Sequence, residues 1–180
     1  MTTTSSHLEG ETNFLKAVTE RINKDSGAKA SFKRALSGEH RHILRVYPFV
    51  LPYLEGIHEQ QWHLWIFVAC LAIFHDQAFE PAPRSFAQSC WDLQNSGKSQ
   101  GPERRFKTLL DTDLADIKPP FAALVRQIKS KKDTKIPVYY PQLIYDLCFW
   151  DHPDQFIQDR WAKDFWRTLP NQEKSSEKAK

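Results

Sequence analysis

The segment from Trp62 to Phe74 limits most strongly how this chain can fold. It is thirteen residues long, apolar almost throughout and interrupted only by His63. Extended to Glu59–His75, it predicts a helix that is apolar on nearly every side, and such a helix has to be buried among other elements. A membrane-spanning helix needs about twenty apolar residues. The segment therefore predicts a buried core helix of a soluble protein.

Helical spacing of apolar residues recurs along most of the remaining chain, and the strict alternation of a half-exposed strand is absent. The chain has only 6 glycines against 11 prolines, which leaves few residues for tight hairpin turns. We therefore expect an all-α fold of two small helical bundles packed into one compact chain. The predicted organisation is a disordered tail at 1–11, an N-terminal bundle at 12–95, a linker at 96–101, a C-terminal bundle at 102–170 and a disordered tail at 171–180.

Capping residues and prolines indicate where several helices begin and end. Asp25 or Ser26 can cap the second helix, and Ser85 can cap another, because their side chains accept hydrogen bonds from the first turn. Pro48 is expected to stop a short helix that runs from His40 to Tyr47, because proline lacks the backbone N–H donor.

The net charge of +3 conceals an uneven distribution. Residues 16–45 carry eight basic and three acidic side chains, and residues 98–135 carry ten basic and five acidic ones. Residues 46–97 between them carry one arginine and five acidic side chains. If the fold brings the two basic blocks together, they form a positive surface that favours polyanions.

The cysteines and the N terminus indicate a cellular compartment. Cys70, Cys90 and Cys148 are far apart, odd in number and set in apolar stretches, so they predict small buried side chains and no disulfide framework. The first residues contain no signal peptide. A reducing, cytoplasmic location is expected.

One dipeptide permits an enzymatic alternative. His75 and Asp76 match the HD pair of helical metal phosphohydrolases, and His42, His58 or His63 could supply an upstream ligand. A histidine at the end of an apolar helix is more often a capping or half-buried residue, and no second histidine pair follows. We therefore expect no catalytic residue, no metal and no cofactor, and the metal-dependent phosphohydrolase stays open as an alternative.

Basic side chains recur at helical spacing within both basic blocks. Lys29 and Lys33 are one turn apart, and Arg126 and Lys129 are three residues apart further along the chain. Cations at such spacing can follow a phosphate backbone without reading the bases. The alternative is that they pair with nearby carboxylates or lie in solvent, as most charged residues do.

Five blocks of sequence, taken in order, resemble a known family. They are GAKASFKRAL (27–36), VYPFVLPYL (46–54) followed by WHLWIFVACLAIFH (62–75), ERRFKTLLDTDLADI (103–117), FAALVRQIKS (121–130), and LIYDLCFWDHP (143–153) with RWAKDFW (160–166). Together they resemble the CasB family, the small subunit of the type I-E CRISPR surveillance complex Cascade. The resemblance covers roughly residues 12–168, and the order of the blocks is more specific than any single block.

The resemblance implies an all-helical, non-catalytic subunit that binds nucleic acid in antiviral defence. Its expected partners are the other Cascade subunits with the guide RNA, the target DNA including its displaced strand, and a second copy of itself. A basic helical surface would stabilise the R-loop by holding the displaced strand and the guide–target backbone. Because strand exchange in an R-loop is nearly balanced in free energy, contacts with the backbone can tip it.

The basic positions that match the family's segments are the predicted nucleic-acid-binding residues. They are Lys29, Lys33, Arg34, Arg104, Arg105, Lys107, Arg126, Lys129 and Arg160. Arg160 and Lys163 could instead pair with Asp159 and Asp164. The six tryptophans fall mostly on apolar stripes and are expected to pack in the core.

Two departures from the family pattern have consequences. Lys29 and Lys33 stand where arginine is common, which weakens two-point contacts with phosphate. Pro119 and Pro120 stand where the family runs more continuously into a helix, so this helix is expected to start late, near Phe121. A purely structural scaffold, whose basic surface meets acidic proteins, is the remaining alternative.

Overall fold

The computed structural model describes residues 6–77 and 80–167 of the 180-residue chain. The described residues form ten α-helices and contain no β-strand, which confirms the all-α prediction. The helices are α1 (Glu9–Asn23), α2 (Ser26–Ala35), α3 (His40–Leu44), α4 (Tyr47–Val50), α5 (Trp62–His75), α6 (Phe86–Asn95), α7 (Gly101–Leu110), α8 (Lys118–Ser130), α9 (Tyr140–Cys148) and α10 (Phe156–Arg167).

Helix α5 is the centre of the fold, as its sequence predicts. Nine of its fourteen residues are buried, because α1, α2, α8 and α9 pack around it. Burial of apolar side chains is the main favourable term in folding, so this helix organises the elements around it. None of the described helices is long and apolar enough to cross a membrane.

The packing of α6 and α9 crosses the predicted boundary at residues 96–101. Helix α6 packs against α7, α8 and α10, which follow the linker, whereas α9 packs against α5 and α1, which precede it. Apart from Leu8, the buried hydrophobic side chains of the described residues belong to a single cluster. The division of the chain into two domains stays a prediction.

Side-chain caps set the start of two helices. The Asp25 carboxylate accepts hydrogen bonds from the backbone N–H groups of Gly27 (2.9 Å) and Ala28 (3.2 Å). The Ser85 hydroxyl accepts from the backbone N–H of Gln88, and the Gln88 side chain accepts from the backbone N–H of Ser85. This reciprocal pair satisfies two donors that the first turn of α6 leaves open.

The predictions for three prolines were wrong, for one physical reason. Helix α3 already ends at Leu44, and Pro48 lies in the first turn of α4. Helix α8 starts at Lys118 and accommodates Pro119 and Pro120 in its first turn. The first turn of a helix has no intrahelical acceptor for its N–H groups, so a proline there loses nothing and its fixed φ suits the helix.

The predicted N-terminal tail is partly folded. Residues 6–8 form a 3₁₀ turn, α1 begins at Glu9, and Leu8 is buried. The prediction of disorder for residues 1–11 is therefore wrong for residues 6–11, because burial of the Leu8 side chain stabilises this segment. Residues 1–5 and the predicted tail at 171–180 lie outside the described residues.

Candidate nucleic-acid interface

The C-terminal end of α5 brings together lysines from two distant segments. Asp76 ends the helix in a left-handed conformation (φ 51°), which short polar side chains tolerate better than most. Its carboxylate lies 3.7 Å from the ammonium of Lys29 on α2. The Lys129 ammonium, from α8, donates to the backbone carbonyl of Phe74 and lies 4.5 Å from the centre of the Phe74 ring.

Lys29, Lys33 and Lys129 form what we call the lysine cluster. Burial lowers the pKa of Lys129, and the positive charges of Lys33 and Lys29 lower it further, while the Asp76 carboxylate raises it. Lys29 and Lys33 are thus near enough to Lys129 to act on it electrostatically, and Lys29 is also within ion-pair distance of Asp76. The two basic blocks of the sequence therefore meet near the end of α5, where the Asp76 carboxylate acts on Lys29 and Lys129.

The arginines of α7 are exposed on a separate helix. Among the described residues, neither Arg104 nor Arg105 forms an ion pair with a carboxylate. Lys107 is engaged differently, because its ammonium lies 2.9 Å from Glu103 Oε1 and 5.8 Å from the centre of the Trp166 ring. The arginines are thus more available to a ligand than Lys107.

Arg34 on α2 and Arg126 on α8 are also exposed and form no ion pair within the described part of the chain. They share their helices with members of the lysine cluster. The structure places no contact between the α7 arginines and that cluster in the residues it describes.

Arg160 has a different environment from the other candidates. Its guanidinium hydrogen-bonds the carboxylate of Asp146, which is fully buried and also accepts from Trp161 Nε1 (2.7 Å) and Gln142 Nε2 (2.8 Å). Asp159, considered as its partner, pairs with Lys163 instead. A guanidinium held in this way contributes to folding, and its contact with nucleic acid stays a prediction.

A further set of lysines was missed by the sequence analysis. Lys131 Nζ lies beside Gly97, 3.5 Å from the position that a Cβ atom would take there. The segment predicted as a linker, with exposed Lys98, therefore meets the loop that carries exposed Lys132 and Lys135. The repeated lysines of residues 129–135 were a signal in the sequence that could have indicated this second group of positive charges.

The HD pair has structural partners. The His75 Nδ1 atom lies 2.9 Å from the Tyr140 hydroxyl, and burial, followed by the positive charge of Lys129, lowers the pKa of His75. Asp76 is engaged with Lys29. The described residues contain no group of three or more His, Cys, Asp or Glu side chains placed to hold a metal ion. This arrangement gives the phosphohydrolase alternative no support.

The cysteine thiols are protected from deprotonation. Burial raises the pKa of Cys70 to about 12 and that of Cys148 to about 11, and it raises the pKa of Cys90 well above its usual range. A thiolate is the reactive form of cysteine. These three residues therefore lack the environment of a nucleophile.

The tryptophans belong to the core, as predicted. Trp65, Trp150 and Trp161 are buried, and Trp62, Trp91 and Trp166 are partly buried against the same cluster. The indole N–H groups of Trp150 and Trp62 donate to backbone carbonyls. Rings fixed in this way cannot serve as open platforms for stacked bases.

Fold and surface together define an all-helical protein with lysines and arginines displayed on several helices. The family model described as CRISPR-associated protein Cse2 matches residues 28–166. The Cse2 protein of Thermus thermophilus is 27% identical over 143 residues, which are 78% of this chain and 79% of that protein. The chain belongs to the Cse2 family of CRISPR-associated proteins, also named CasB, and the resemblance found in the sequence is confirmed.

Solved structures show the same fold. CasB from M. ruber has a TM-score of 0.74 at 24% identity, covering 89% of this chain and 94% of that one. A Cse2-family protein of Thermus thermophilus has a TM-score of 0.72 at 24% identity, with 87% and 97% covered. A chain of a CRISPR RNA-guided surveillance complex has a TM-score of 0.73 at 22% identity, with 90% and 94% covered.

Proposed function

We propose that this protein is a non-catalytic, nucleic-acid-binding subunit of a Cascade surveillance complex. It stabilises the R-loop by holding the displaced strand and the guide–target backbone with a basic helical surface. Its partners are the other Cascade subunits with the guide RNA, the target DNA and a second copy of itself. The complex acts in the cytoplasm in antiviral defence.

The convergence of Lys29, Lys33 and Lys129 carries the proposal. These lysines come from helices almost a hundred residues apart, and the Asp76 carboxylate acts on two of them, Lys29 and Lys129. Bringing like charges together costs free energy unless a negative group neutralises them. A phosphate backbone provides such groups at regular spacing, and the exposed arginines of α7 and α8 would add further contacts.

The chemistry of these side chains favours binding that tolerates any sequence. A lysine ammonium binds phosphate as a point charge and carries no base preference. The tryptophans that could stack on bases are packed in the core. In an R-loop the sequence is read by guide–target pairing, so a subunit that contacts only the nucleic-acid backbone needs no base specificity of its own.

The purely structural scaffold predicts a different outcome in solution. In that case the free protein has negligible affinity for nucleic acid, and charge reversal impairs only assembly with acidic proteins. The lysine cluster favours binding of nucleic acid over this alternative because it concentrates positive charge at one place, as a phosphate backbone requires.

The test is binding of the purified protein to labelled single-stranded DNA, duplex DNA and RNA across a salt series. With about six phosphates neutralised, the slope of log K against log salt should be about −5 for duplex and about −4 for single strands. The variant Arg104→Glu/Arg105→Glu should bind all sequences more weakly. An absence of binding at every salt concentration, or a loss confined to one sequence, would contradict the proposal.

The affinity should also depend on pH through Lys129. Its pKa is lowered by burial and by its lysine neighbours, so it loses its proton at a lower pH than an ordinary lysine of pKa about 10.4. Phosphate binds the protonated form, so affinity should fall as pH rises through this lowered pKa. Titration of binding from pH 7 upward should show this early decrease in the wild type and not in Lys129→Gln. Identical profiles for both proteins would contradict the prediction.

A further inference from the structure

A continuous run of five aromatic rings lies between the start of α1, the C-terminal end of α9 and the start of α10. The ring centres are separated by 5.6 Å (His7–Tyr145), 4.8 Å (Tyr145–Phe149), 6.1 Å (Phe149–Phe156) and 5.0 Å (Phe156–His152). We call these five residues the aromatic ridge. Their contacts hold the rings in fixed orientations, which lowers the entropy lost when a partner binds.

The aromatic ridge is open to solvent. Phe149 is 40% exposed, and among the described residues only Leu44, at 46%, is another exposed large hydrophobic side chain. Tyr145, Phe156 and His152 are partly exposed on either side of Phe149. A rigid, exposed group of aromatic rings is typical of an interaction surface, whereas a single exposed leucine needs no explanation.

Carboxylates border the aromatic ridge at both ends. Glu9 and Glu11 lie in the first turn of α1, where Glu11 is close enough to His7 for the two to interact electrostatically. Asp154 is exposed in the turn between Phe149 and Phe156, and its Oδ2 atom lies 3.8 Å from His152 Nδ1. Asp151, in the same turn, accepts a hydrogen bond from the backbone N–H of Leu114 instead.

The lysines and arginines of the described chain do not cover these rings. Arg160, one turn after Phe156 on α10, is held by Asp146, and Lys163 is held by Asp159. The cation–π contacts within the described residues involve other rings, those of Phe49, Phe67, Phe74 and Trp166.

We propose that the aromatic ridge docks a partner protein segment that carries arginine side chains. A guanidinium group stacks flat on an aromatic face and can pair with a carboxylate at its edge, and the ridge offers both groups side by side. A nucleic acid could stack its bases on the same rings, but the bordering carboxylates repel its phosphates. This inference is independent of the proposed nucleic-acid binding, which rests on the lysine cluster and on the arginines of α7 and α8.

The experiment uses the full chain and a labelled, capped peptide of four arginine–leucine repeats, followed by fluorescence anisotropy. A matched peptide with citrulline in place of arginine keeps the shape and removes the charge. We expect the wild type to bind the arginine peptide about tenfold more tightly than the citrulline peptide. Phe149→Ala should weaken arginine-peptide binding about fivefold to tenfold, while Leu44→Ala, the matched exposed apolar control, should change it less than about twofold.

A second variant tests a carboxylate beside the aromatic ridge without changing the rings. Asp154→Asn should weaken binding of the arginine peptide and leave binding of the citrulline peptide unchanged. Equal binding of the two peptides, or equal effects of Phe149→Ala and Leu44→Ala, would overturn the inference. A dimer that forms without peptide and depends on Phe149 would also overturn it, because the occupant would then be a second copy of the chain. Loss of oligothymidine binding in Phe149→Ala would overturn it as well, because the occupant would then be nucleic acid.

Discussion

Replacing Lys33 with glutamate and Lys129 with glutamine should lower the affinity for single-stranded DNA about thirtyfold at low salt. Each lost phosphate contact in such a site removes about 1 kcal/mol, and the reversed charge adds repulsion. Lys29 is left in place because it is already paired with Asp76. The measurement is a fluorescence anisotropy titration with oligonucleotides of different sequence, and every sequence should be affected alike.

The matched control carries the same change in net charge at another place. Lys163→Glu/Arg167→Gln alters two exposed cations on α10, a helix that packs against α6 and carries no member of the lysine cluster. This control should lose less than about threefold in affinity, which is the effect of net charge alone. If both double variants lost affinity equally, the position of the lysines would not matter and the cluster would not be a site.

Asp146→Asn should be the most destabilising conservative substitution in the C-terminal third of the chain. The carboxylate is fully buried and accepts hydrogen bonds from Arg160, Trp161 and Gln142. Asparagine turns an N–H₂ group toward one of these donors and leaves the guanidinium without its counter-charge. The cost should be about 3 kcal/mol, or about 10 °C in melting temperature for a chain of this size.

Asp159→Asn is the control for this substitution, since it removes the same charge from an exposed pair with Lys163. Exposed pairs of this kind contribute about 0.5 kcal/mol. Thermal denaturation followed by circular dichroism separates the two cases. Equal melting temperatures would mean that the buried network does not stabilise the fold.

Much of the fold could be predicted from the sequence because helical periodicity and caps are local signals. The apolar run of α5 predicted its burial, and Asp25 and Ser85 predicted the starts of α2 and α6. The errors at Pro48, Pro119 and Pro120 came from treating proline as an interruption, although the first turn of a helix accepts it. The positions of α6 and α9 depend on long-range packing, which no local pattern encodes.

The candidate site was only partly predictable. The sequence showed which cations share a helix, and the resemblance to the family selected Lys29, Lys33 and Lys129 among nine basic residues. It could not show that these lysines meet at the end of α5, or that Arg160 is committed to a buried carboxylate, because both facts depend on tertiary contacts. The meeting of Lys131 with Gly97 likewise joins two loops far apart in sequence.

The most direct test of the central claim is the lifetime of the R-loop in the assembled surveillance complex. Complexes are reconstituted with the wild-type protein or with Lys33→Glu/Lys129→Gln and then bound to labelled target DNA. Release of the labelled DNA is followed after an excess of unlabelled target DNA is added. The account predicts complexes of unchanged composition whose R-loops dissociate several times faster with the variant, more so at low salt. Equal R-loop lifetimes in fully assembled complexes would contradict it.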